Sequence, residues 1–318
     1  MKILPLIFAL TILAFAAHSY PSRASELNQK SLSPNDIAIT VDQISKVLRK
    51  SYVYPEVAAE MQKFIYQQKS SGQYRDASTL SELITKIQSD LRGVSGDGHI
   101  SVLLAKDTAV RDKQIKPKSQ KPIYADFVSK EATTKKIGYL SFNMFRGDLD
   151  TKNSLIESME KLSIGDSLII DLRENIGGDP RLVAFLSSYF LESDTHLWSV
   201  YDRGGNEVIE IRSSASPHKF FGKLCILTSN KTYSAAEAFT YTLKHLGRAC
   251  IVGETTGGGA HLVEMMRVND EINLWTPVAR AYNSVTESNW EGTGVIPTIE
   301  VEASEAKSVA IDFLSSEY

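Results

Sequence analysis

The first part of the chain repeats its apolar positions with a helical period. Between residues 36 and 91, apolar residues recur three and four positions apart, as Ile37, Val41 and Ile44 do. This spacing gives each predicted helix one apolar face. Pro55 breaks the first helix and can open the second, because proline fits the first helical turn. The pattern therefore predicts a small helical bundle that carries no evident chemistry of its own.

After the predicted bundle, the apolar positions form short runs that are typical of strands. Buried strands are predicted at 167–172, 224–228 and 249–253, with helical stretches between them. Strands that alternate with helices at these lengths are typical of parallel βαβ units. Further predicted elements are helices at 153–162, 180–191, 234–246 and 303–314, hairpins at 123–144 and 197–213, and strands at 100–104, 262–267 and 272–279. The sequence thus predicts an α/β protein, with a helical domain over 25–95 and an α/β core over 96–318.

Composition and charge add limits rather than a function. Of the 318 residues, 42% are hydrophobic and 23% are charged, as in ordinary soluble proteins. The formal net charge of −3 gives no reason to expect a nucleic-acid partner. Cys225 and Cys250 lie near the starts of two predicted strands. They could form a disulfide in an oxidising compartment or stay buried thiols, and without a His/Cys cluster they do not make a zinc site.

The N-terminus has the pattern of a targeting segment. A short positive region, Met1-Lys2, precedes an apolar run over residues 3–17, and small residues follow. Such a run is short for a membrane span, and the pattern predicts a signal peptide over 1–24. The mature protein is then exported, periplasmic or secreted, without stable membrane insertion. A retained membrane anchor is the alternative interpretation.

Two segments offer what acyl transfer needs. An apolar strand runs into Gly177-Gly178, and Ser234 stands where a later strand passes into a helix. Glycines without side chains let a carbonyl approach the backbone, and the N–H of Ala235 at the helix start can bind an oxyanion. Simpler explanations compete with this one. Ser-Ala-Ala-Glu has the spacing of a capping box, and glycines often end strands because they tolerate positive φ.

The motifs that carry a resemblance are Asp171-Leu172-Arg173-Glu174-Asn175-Ile176-Gly177-Gly178, Ser234-Ala235-Ala236-Glu237 and Gly253-Glu254-Thr255-Thr256-Gly257-Gly258. Together they resemble peptidase family S41, the tail-specific or C-terminal processing proteases, from about Ile37 to Val301. Residues 52–55, 96–99 and 289–297 look like the branch of tricorn-type cores and interphotoreceptor retinoid-binding protein modules. The resemblance implies a crotonase-like α/β core behind an N-terminal helical domain, and a reaction that requires no metal or cofactor.

The chain departs from the processing proteases at two places. Their catalytic lysine would fall near Gly259, where this sequence has no lysine. They also usually carry a peptide-binding PDZ insert after the segment that corresponds to Leu104. Too few residues separate Leu104 from the next predicted strand to form such a domain. A Ser–Lys pair and the recognition of protein C-termini are therefore not expected.

A serine hydroxyl is a poor nucleophile without a base, and with no suitable lysine a histidine must serve. The tricorn-like branch takes its base from the position of His99. His261, just past the glycine run, is the second candidate. By similarity to the same branch, Glu291 orients the ring of His99, as a carboxylate does in a catalytic triad. Asp97 could play that part from nearby, or Glu291 could be a solvent-facing turn residue.

These observations predict an exported serine-type peptidase that acts on peptides or proteins. Ser234 attacks the scissile carbonyl, and His99 takes the proton and returns it to the leaving amine. Backbone N–H groups of Ala235 and of Gly177 or Gly178 hold the oxyanion. The alternative is a non-catalytic module that binds a hydrophobic ligand, such as a retinoid or a fatty acid. The sequence does not determine the substrate or the oligomeric state.

Overall fold

A computed structural model of the chain describes residues 32–107, 123–129, 135–216 and 218–316. The predicted signal peptide, residues 1–24, lies outside these ranges. Within them, no helix combines the length and the apolar character that crossing a bilayer requires.

The N-terminal helices form where the apolar period predicts them. They are α1 (Pro34–Ser51), α2 (Pro55–Ser71) and α3 (Leu80–Ser95). Ser33 and Asp36 form a capping box at the start of α1, and Thr79 caps α3 by accepting a hydrogen bond from the N–H of Glu82. The buried stripe of α1 runs through Ile37, Val41, Ile44 and Leu48.

The core of the helical bundle does not stop at the predicted domain border. The cluster that contains Leu48 and Leu91 also contains Ile100, Val102 and Leu274 from the following part of the chain. Burying these apolar side chains together is the main favourable term that holds the bundle on its neighbouring sheet. The helices are therefore packed against a sheet rather than standing apart from it.

The described strands are β1 (Ser101–Leu104), β2 (Tyr124–Val128), β3 (Ile137–Ser141), β4 (Ser167–Asp171), β5 (His196–Asp202), β6 (Glu207–Arg212), β7 (Lys223–Thr228), β8 (Cys250–Gly253), β9 (His261–Arg267), β10 (Ile272–Tyr282) and β11 (Ile299–Glu300). They form two sheets. One is antiparallel and has the order β1-β10-β5-β6. Strand β9 also pairs with β10, along the edge that neither β1 nor β5 occupies. The other has the order β11-β8-β7-β4-β3-β2 and is parallel except for β2.

Helices cover both faces of the parallel sheet, as the alternation of strands and helices predicts. They are α4 (Leu149–Leu162), α5 (Pro180–Ser187), α6 (Ala235–His245) and α7 (Ala306–Ser315). The apolar residues of α4, α5 and α6 pack on the face that carries Ile170 and Ile226, and α7 packs on the face that carries Ile169. The α/β prediction is confirmed. The helix predicted at 180–191 is shorter than expected, because regular helix ends at Ser187.

The two cysteines are direct neighbours across parallel strands. Cys225 of β7 is in register with Cys250 of β8, and both are free thiols. The buried-thiol interpretation therefore describes Cys225, whereas Cys250 is only half-buried.

The carboxyl ends of β4, β7 and β8 lie side by side, because these strands are parallel and adjacent. Their following turns carry Gly177-Gly178, Ser234 and Gly257-Gly258-Gly259 respectively. Ligands of open α/β sheets bind at this edge. The topology thus brings together the three motifs that the sequence separates.

Candidate active site

Ser234 occupies a strained position at the start of α6. Its backbone has φ 56° and ψ −118°, a region that residues with a side chain rarely adopt. The preceding turn is held by the Tyr233 N–H, which donates to the Asn175 carbonyl at 3.0 Å, and by the Thr232 hydroxyl, which donates to the Leu172 carbonyl at 2.8 Å. Strain of this kind persists only where surrounding contacts fix it, and it concentrates at functional sites.

The carboxylate of Glu237 ties the serine turn to the glycine loop. It is fully buried and accepts four hydrogen bonds: from the N–H groups of Ser234, Gly258 and Gly259 and from the hydroxyl of Thr256, at 2.5 to 2.8 Å. Burial raises the pKa of Glu237, and the four donors offset part of that rise. The bond from Ser234 is the backbone half of the predicted capping box. The other three bonds fix a loop that the capping motif alone does not reach.

Glu237→Gln is expected to lower the free energy of unfolding by about 2 to 4 kcal/mol, since an amide nitrogen leaves two buried donors without an acceptor. Urea unfolding of both proteins measures the change. Glu174→Gln is the matched control, because Glu174 is 68% exposed and pairs with Lys231 at the surface. The free energy of unfolding of Glu174→Gln is expected to lie within about 0.5 kcal/mol of that of the parent protein. Equal effects of the two substitutions would contradict this role of Glu237.

The glycine turn packs against the serine, and within the described ranges it leaves the N–H of Gly178 without an acceptor. Gly177 and Gly178 have φ 99° and 137°, and a Cβ on Gly177 would lie 2.7 Å from the Cβ of Ser234. The N–H of Gly177 donates to Oδ1 of Asn175 at 3.0 Å, so it is not available to a substrate. Among the described residues, no group accepts a hydrogen bond from the N–H of Gly178 or of Ala235. This narrows the expected oxyanion donors to Gly178 and Ala235.

Asp97 lies between the imidazoles of two histidines. Its Oδ2 is 2.6 Å from Nδ1 of His261, and its Oδ1 is 3.7 Å from Nδ1 of His99. The Oδ1 atom also accepts the backbone N–H of His99 at 2.9 Å, and Oδ2 accepts the hydroxyl of Tyr52 at 3.1 Å. Burial raises the pKa of Asp97, but the hydrogen bonds from His261 and His99 outweigh it and hold the pKa well below its usual range. The carboxylate thus favours its ionised form, and it holds the ring of His261 through a hydrogen bond and the backbone of His99 through another.

Asp97→Asn is expected to remove a pH-dependent part of the stability. A carboxyl group whose pKa is lower in the folded chain stabilises the fold above its unfolded pKa of about 3.9, and this contribution is lost as the pH falls below that value. The parent protein should therefore lose stability below about pH 4 more steeply than the variant in urea unfolding at pH 3 to 7. Asp42→Asn, at an exposed carboxylate that pairs with Lys69, is the control. Parallel pH profiles of parent and Asp97→Asn would contradict the prediction.

Glu291 lies beside His261 rather than His99. Its Oε2 accepts the N–H of Ala260 at 2.6 Å and is 3.4 Å from Nδ1 of His261. Among the described residues, it makes no hydrogen bond to His99. Burial raises the pKa of Glu291, His261 opposes that rise, and the charge of Asp97 adds to it. The sequence offered two carboxylates that could orient the ring of His99, and Asp97 lies nearer to that ring than Glu291 does.

His99 packs against the residue that precedes the serine. The ring centroids of His99 and Tyr233 are 4.8 Å apart, and the Tyr233 hydroxyl is 3.4 Å from Nδ1 of His99. A Cβ on Gly259 would lie 2.6 Å from Cε1 of His99. The space that a side chain at position 259 would fill therefore belongs to His99 and Tyr233, which explains why a lysine does not fit there.

Asp97, His261 and Glu291 each offer one possible metal-ligand atom, and these atoms lie within 4.8 Å of one another. The hydrogen bond between Nδ1 of His261 and Asp97 accounts for the closest pair without a metal ion. Two buried atoms of this cluster have no hydrogen-bond partner in the described part of the chain: Nε2 of His261 and Oε1 of Glu291.

Two family models together span most of the chain. The model of peptidase family S41 matches residues 136–301, and the model of the N-terminal domain of Peptidase_S41 in eukaryotic IRBP matches residues 34–145. The chain belongs to peptidase family S41. A carboxyl-terminal-processing protease of Picosynechococcus sp. is 26% identical over 178 residues, which are 55% of this S41 chain and 41% of that protein. The chain thus spans less than half the length of the curated relatives it matches.

Two solved structures share the fold of this S41 chain. A putative peptidase from Parabacteroides merdae has a TM-score of 0.66 at 18% identity and covers 90% of this chain and 98% of that one. A lipoprotein from Streptococcus agalactiae has a TM-score of 0.60 at 21% identity, with 90% and 99% covered. At such identities the likeness concerns the fold alone.

The serine of this S41 family member borders an apolar cavity of about 240 Å³. Ser234, Ala235, Gly178, Gly259 and His261 line part of this cavity. The remaining wall is apolar and consists of Pro180, Trp198, Ala238, Ala260, Leu262, Val263, Ala281 and Trp290. The candidate nucleophile and the residues that carry the two candidate oxyanion donors thus line one cavity.

Sequence reasoning missed two residues of this site. It treated Glu237 as a helix cap only, and it did not identify Tyr233. The S-x-x-E spacing signalled the carboxylate but not its bonds to the loop at 256–259. No local signal places Tyr233 against His99, because those two residues meet only through the fold.

Proposed function

We propose that this chain hydrolyses peptide bonds with Ser234 as the nucleophile. The observation that carries the proposal is a strained serine that lines one cavity with Gly178 and Ala235, whose N–H groups have no acceptor among the described residues. Donors arranged in this way stabilise the negative charge of a tetrahedral intermediate, which is commonly a large term in catalysis.

In the proposed reaction His99 takes the proton of Ser234 and returns it to the leaving amine. Three observations support His99: its ring fills the space beside Gly259, it packs on Tyr233, and its Nδ1 faces Asp97. Nε2 is then the nitrogen left for proton exchange. Asp97 orients the ring, and Glu291 holds the loop through Ala260 and His261.

His261 is the second candidate for the base. Its Nδ1 bonds to Asp97, its Nε2 has no partner among the described residues, and it lines the cavity with Ser234. Its side chain is only 2% exposed, however, whereas that of His99 is 9% exposed. A base that exchanges protons with a leaving group and with water needs access to both. The greater exposure of the His99 side chain favours His99, whereas the position of His261 on the cavity wall favours His261.

The finer features that the sequence implies belong to the same proposal. The chain is exported, with residues 1–24 as signal peptide, a helical domain over 25–95 and a crotonase-like core over 96–318 without a PDZ insert. Peptides or proteins are its substrates, and the reaction uses no metal or cofactor. Without a PDZ domain, recognition of a protein C-terminus is not part of the proposal.

A non-catalytic module for a retinoid or fatty acid is the second candidate function. The apolar wall beside Ser234 favours it, because such a cavity holds a hydrophobic group without any reaction. At about 240 Å³ the space is smaller than the ~300–1,000 Å³ usual for sites that enclose a whole ligand. This size fits part of a substrate better than a complete lipid.

A serine-directed fluorophosphonate separates the two functions. The peptidase predicts stoichiometric labelling, which peptide mapping assigns to Ser234 and which is absent in Ser234→Ala and in heat-unfolded protein. The module predicts no labelling, together with saturable binding of a fatty acid or retinoid. Labelling at another serine, or none, would overturn the assignment of the nucleophile.

A further inference from the structure

Three side chains from distant parts of the chain surround one point inside the candidate active site. Nδ1 of His261 is 2.6 Å from Oδ2 of Asp97 and 3.4 Å from Oε2 of Glu291. One possible ligand atom of each residue lies within 4.8 Å of those of the other two. Asp97 and His261 are buried, and Glu291 is half-buried. Two carboxyl groups and one imidazole therefore share a centre with little access to solvent.

No cationic side chain within the described ranges balances the two carboxyl groups. Asp97 and Glu291 form close pairs with histidines, and neither pairs there with a lysine or an arginine. The second oxygen of Glu291, Oε1, is buried and has no hydrogen-bond partner in this part of the chain. Buried carboxylates are normally paired, hydrogen-bonded or coordinated to a metal ion. The unpartnered oxygen therefore calls for a ligand from outside the described chain.

The spacing of the donor atoms suits a small divalent ion. In a tetrahedral zinc site with bonds of about 2.0 to 2.2 Å, neighbouring donor atoms lie about 3.3 to 3.6 Å apart. The 3.4 Å between His261 and Glu291 matches this spacing, and the 2.6 Å between His261 and Asp97 must widen by about 1 Å or less. Because an ionised carboxylate only accepts, the bond to Asp97 places a proton on Nδ1 of His261. The ion would replace that proton, which leaves to solvent.

The types of ligand select among cations, and neighbouring groups already orient them. Imidazole suits zinc, copper, iron and nickel, whereas calcium takes about six to eight oxygen ligands. Asp97 accepts hydrogen bonds from the Tyr52 hydroxyl and from the backbone N–H of His99. Glu291 accepts one from the N–H of Ala260. Contacts of this kind fix the orientation of metal ligands and are a regular part of metal sites.

We propose that Asp97, His261 and Glu291 bind a divalent transition-metal ion such as Zn²⁺, and that the bound ion inhibits the peptidase. Coordination through Nδ1 leaves the proton of a neutral His261 ring on Nε2, so that this ring no longer accepts a proton. The ion also opposes the positive charge that His99 develops when it takes the proton of Ser234. Either candidate base is therefore impaired. The binding step is independent of the proposed function, whereas the inhibition rests on it.

The binding test titrates the full chain, first freed of metal with a chelator, with Zn²⁺ alone in a calorimeter. One ion per chain is expected. His261→Ala and Glu291→Gln should each weaken binding by more than the about 10 to 100-fold that outer-shell substitutions cost. Glu291→Gln keeps an oxygen that can accept the N–H of Ala260, so it provides a folded variant if His261→Ala does not fold. Absence of saturable binding to the parent protein would overturn the site, because a water molecule would then satisfy Oε1.

His196→Ala is the matched control, because His196 belongs to another close pair of imidazole and carboxylate. Its Nε2 lies 4.0 Å from Oε1 of Glu210, across the strands β5 and β6. Zn²⁺ should bind His196→Ala as tightly as it binds the parent protein. Binding that is lost in His196→Ala and retained in His261→Ala would overturn the assignment, since it would identify an adventitious surface site.

The inhibition is measured as the rate at which a fluorophosphonate labels Ser234. Saturating Zn²⁺ should slow labelling of the parent protein at least about tenfold, because acid–base catalysis contributes about 10² to 10⁴-fold, and a chelator should restore the rate. The same Zn²⁺ concentration should leave the labelling rate of Glu291→Gln unchanged. Stoichiometric binding without slower labelling would overturn the inhibitory role. A chain that binds Zn²⁺ through these residues but is never labelled would refute the proposed function and still support the metal site.

Discussion

Replacing Ser234 with alanine is expected to lower kcat for a cleavable peptide by at least about 10⁴-fold, and by up to about 10⁶-fold. The variant keeps the free N–H groups and the cavity but has no atom that can form the acyl-enzyme. The peptide itself should still bind, so its Kd should change by less than about threefold, because the contacts that hold it come from the backbone and the apolar wall. Burst-phase and steady-state kinetics on one peptide measure the loss, and fluorescence anisotropy measures the binding.

Ser154→Ala serves as the control for this substitution, since Ser154 is exposed on α4, away from the cavity. It should retain full activity. The free energy of unfolding of Ser234→Ala, measured in urea, should lie within about 1 kcal/mol of that of the parent protein. The strained backbone is held by Glu237 and Asn175 rather than by the hydroxyl. Hydrolysis by Ser234→Ala above about one hundredth of the parent rate would refute the nucleophile.

The second large expected effect is a loss of activity that distinguishes His99 from His261 as the general base. His99→Ala is expected to lower kcat/KM by about 10³ to 10⁴-fold, since it removes general acid–base catalysis. His261→Ala should lower it by about 10 to 100-fold, because it changes the surroundings of Asp97 but leaves the proton acceptor in place. Rates of inactivation by a fluorophosphonate give the same comparison without peptide binding.

The pH dependence of inactivation makes this test decisive. With a histidine base, the rate should rise with pH through one ionisation, because only the unprotonated imidazole accepts the serine proton. That rise should persist in His261→Ala and vanish in His99→Ala. The reverse result would assign the base to His261, which already has a 2.6 Å bond to Asp97. A rise that persists in both variants would exclude a histidine base.

Local patterns predicted the elements of this fold well. The three-and-four spacing of Ile37, Val41 and Ile44 depends only on neighbouring turns of one helix, and α1 buries all three. The position of Ser234 after a strand and before a helix was likewise readable, because parallel strands bring their carboxyl ends to one edge. The end of α5 at Ser187 was not predicted, because apolar residues continue to Leu191. Those residues are buried by the tertiary fold without extending the helix.

The sequence could not predict which site residues that are far apart in the chain contact one another. Asp97 and His261 are 164 residues apart in the chain, and nothing near either residue indicates that they bond. The position of Glu291 beside Ala260 depends on how a late turn folds over the glycine loop. One local signal was available but unused: Asn175 stands two residues before Gly177, a spacing at which an Asn side chain accepts the following N–H. It would have identified Gly178 as the free donor.

The hydroxyl of Tyr52, at the end of α1, donates to the carboxylate of Asp97, which also bonds to the ring of His261. The backbone N–H of Val53 donates to Pro277 on β10, and the guanidinium of Arg203 bonds to the carbonyl of Tyr52. The helical segment is therefore a component of the proposed reaction centre and not a detachable accessory. A fragment that begins after it, or a chimera that borrows this segment from a distant relative, would inherit the serine but not a fully assembled charge network.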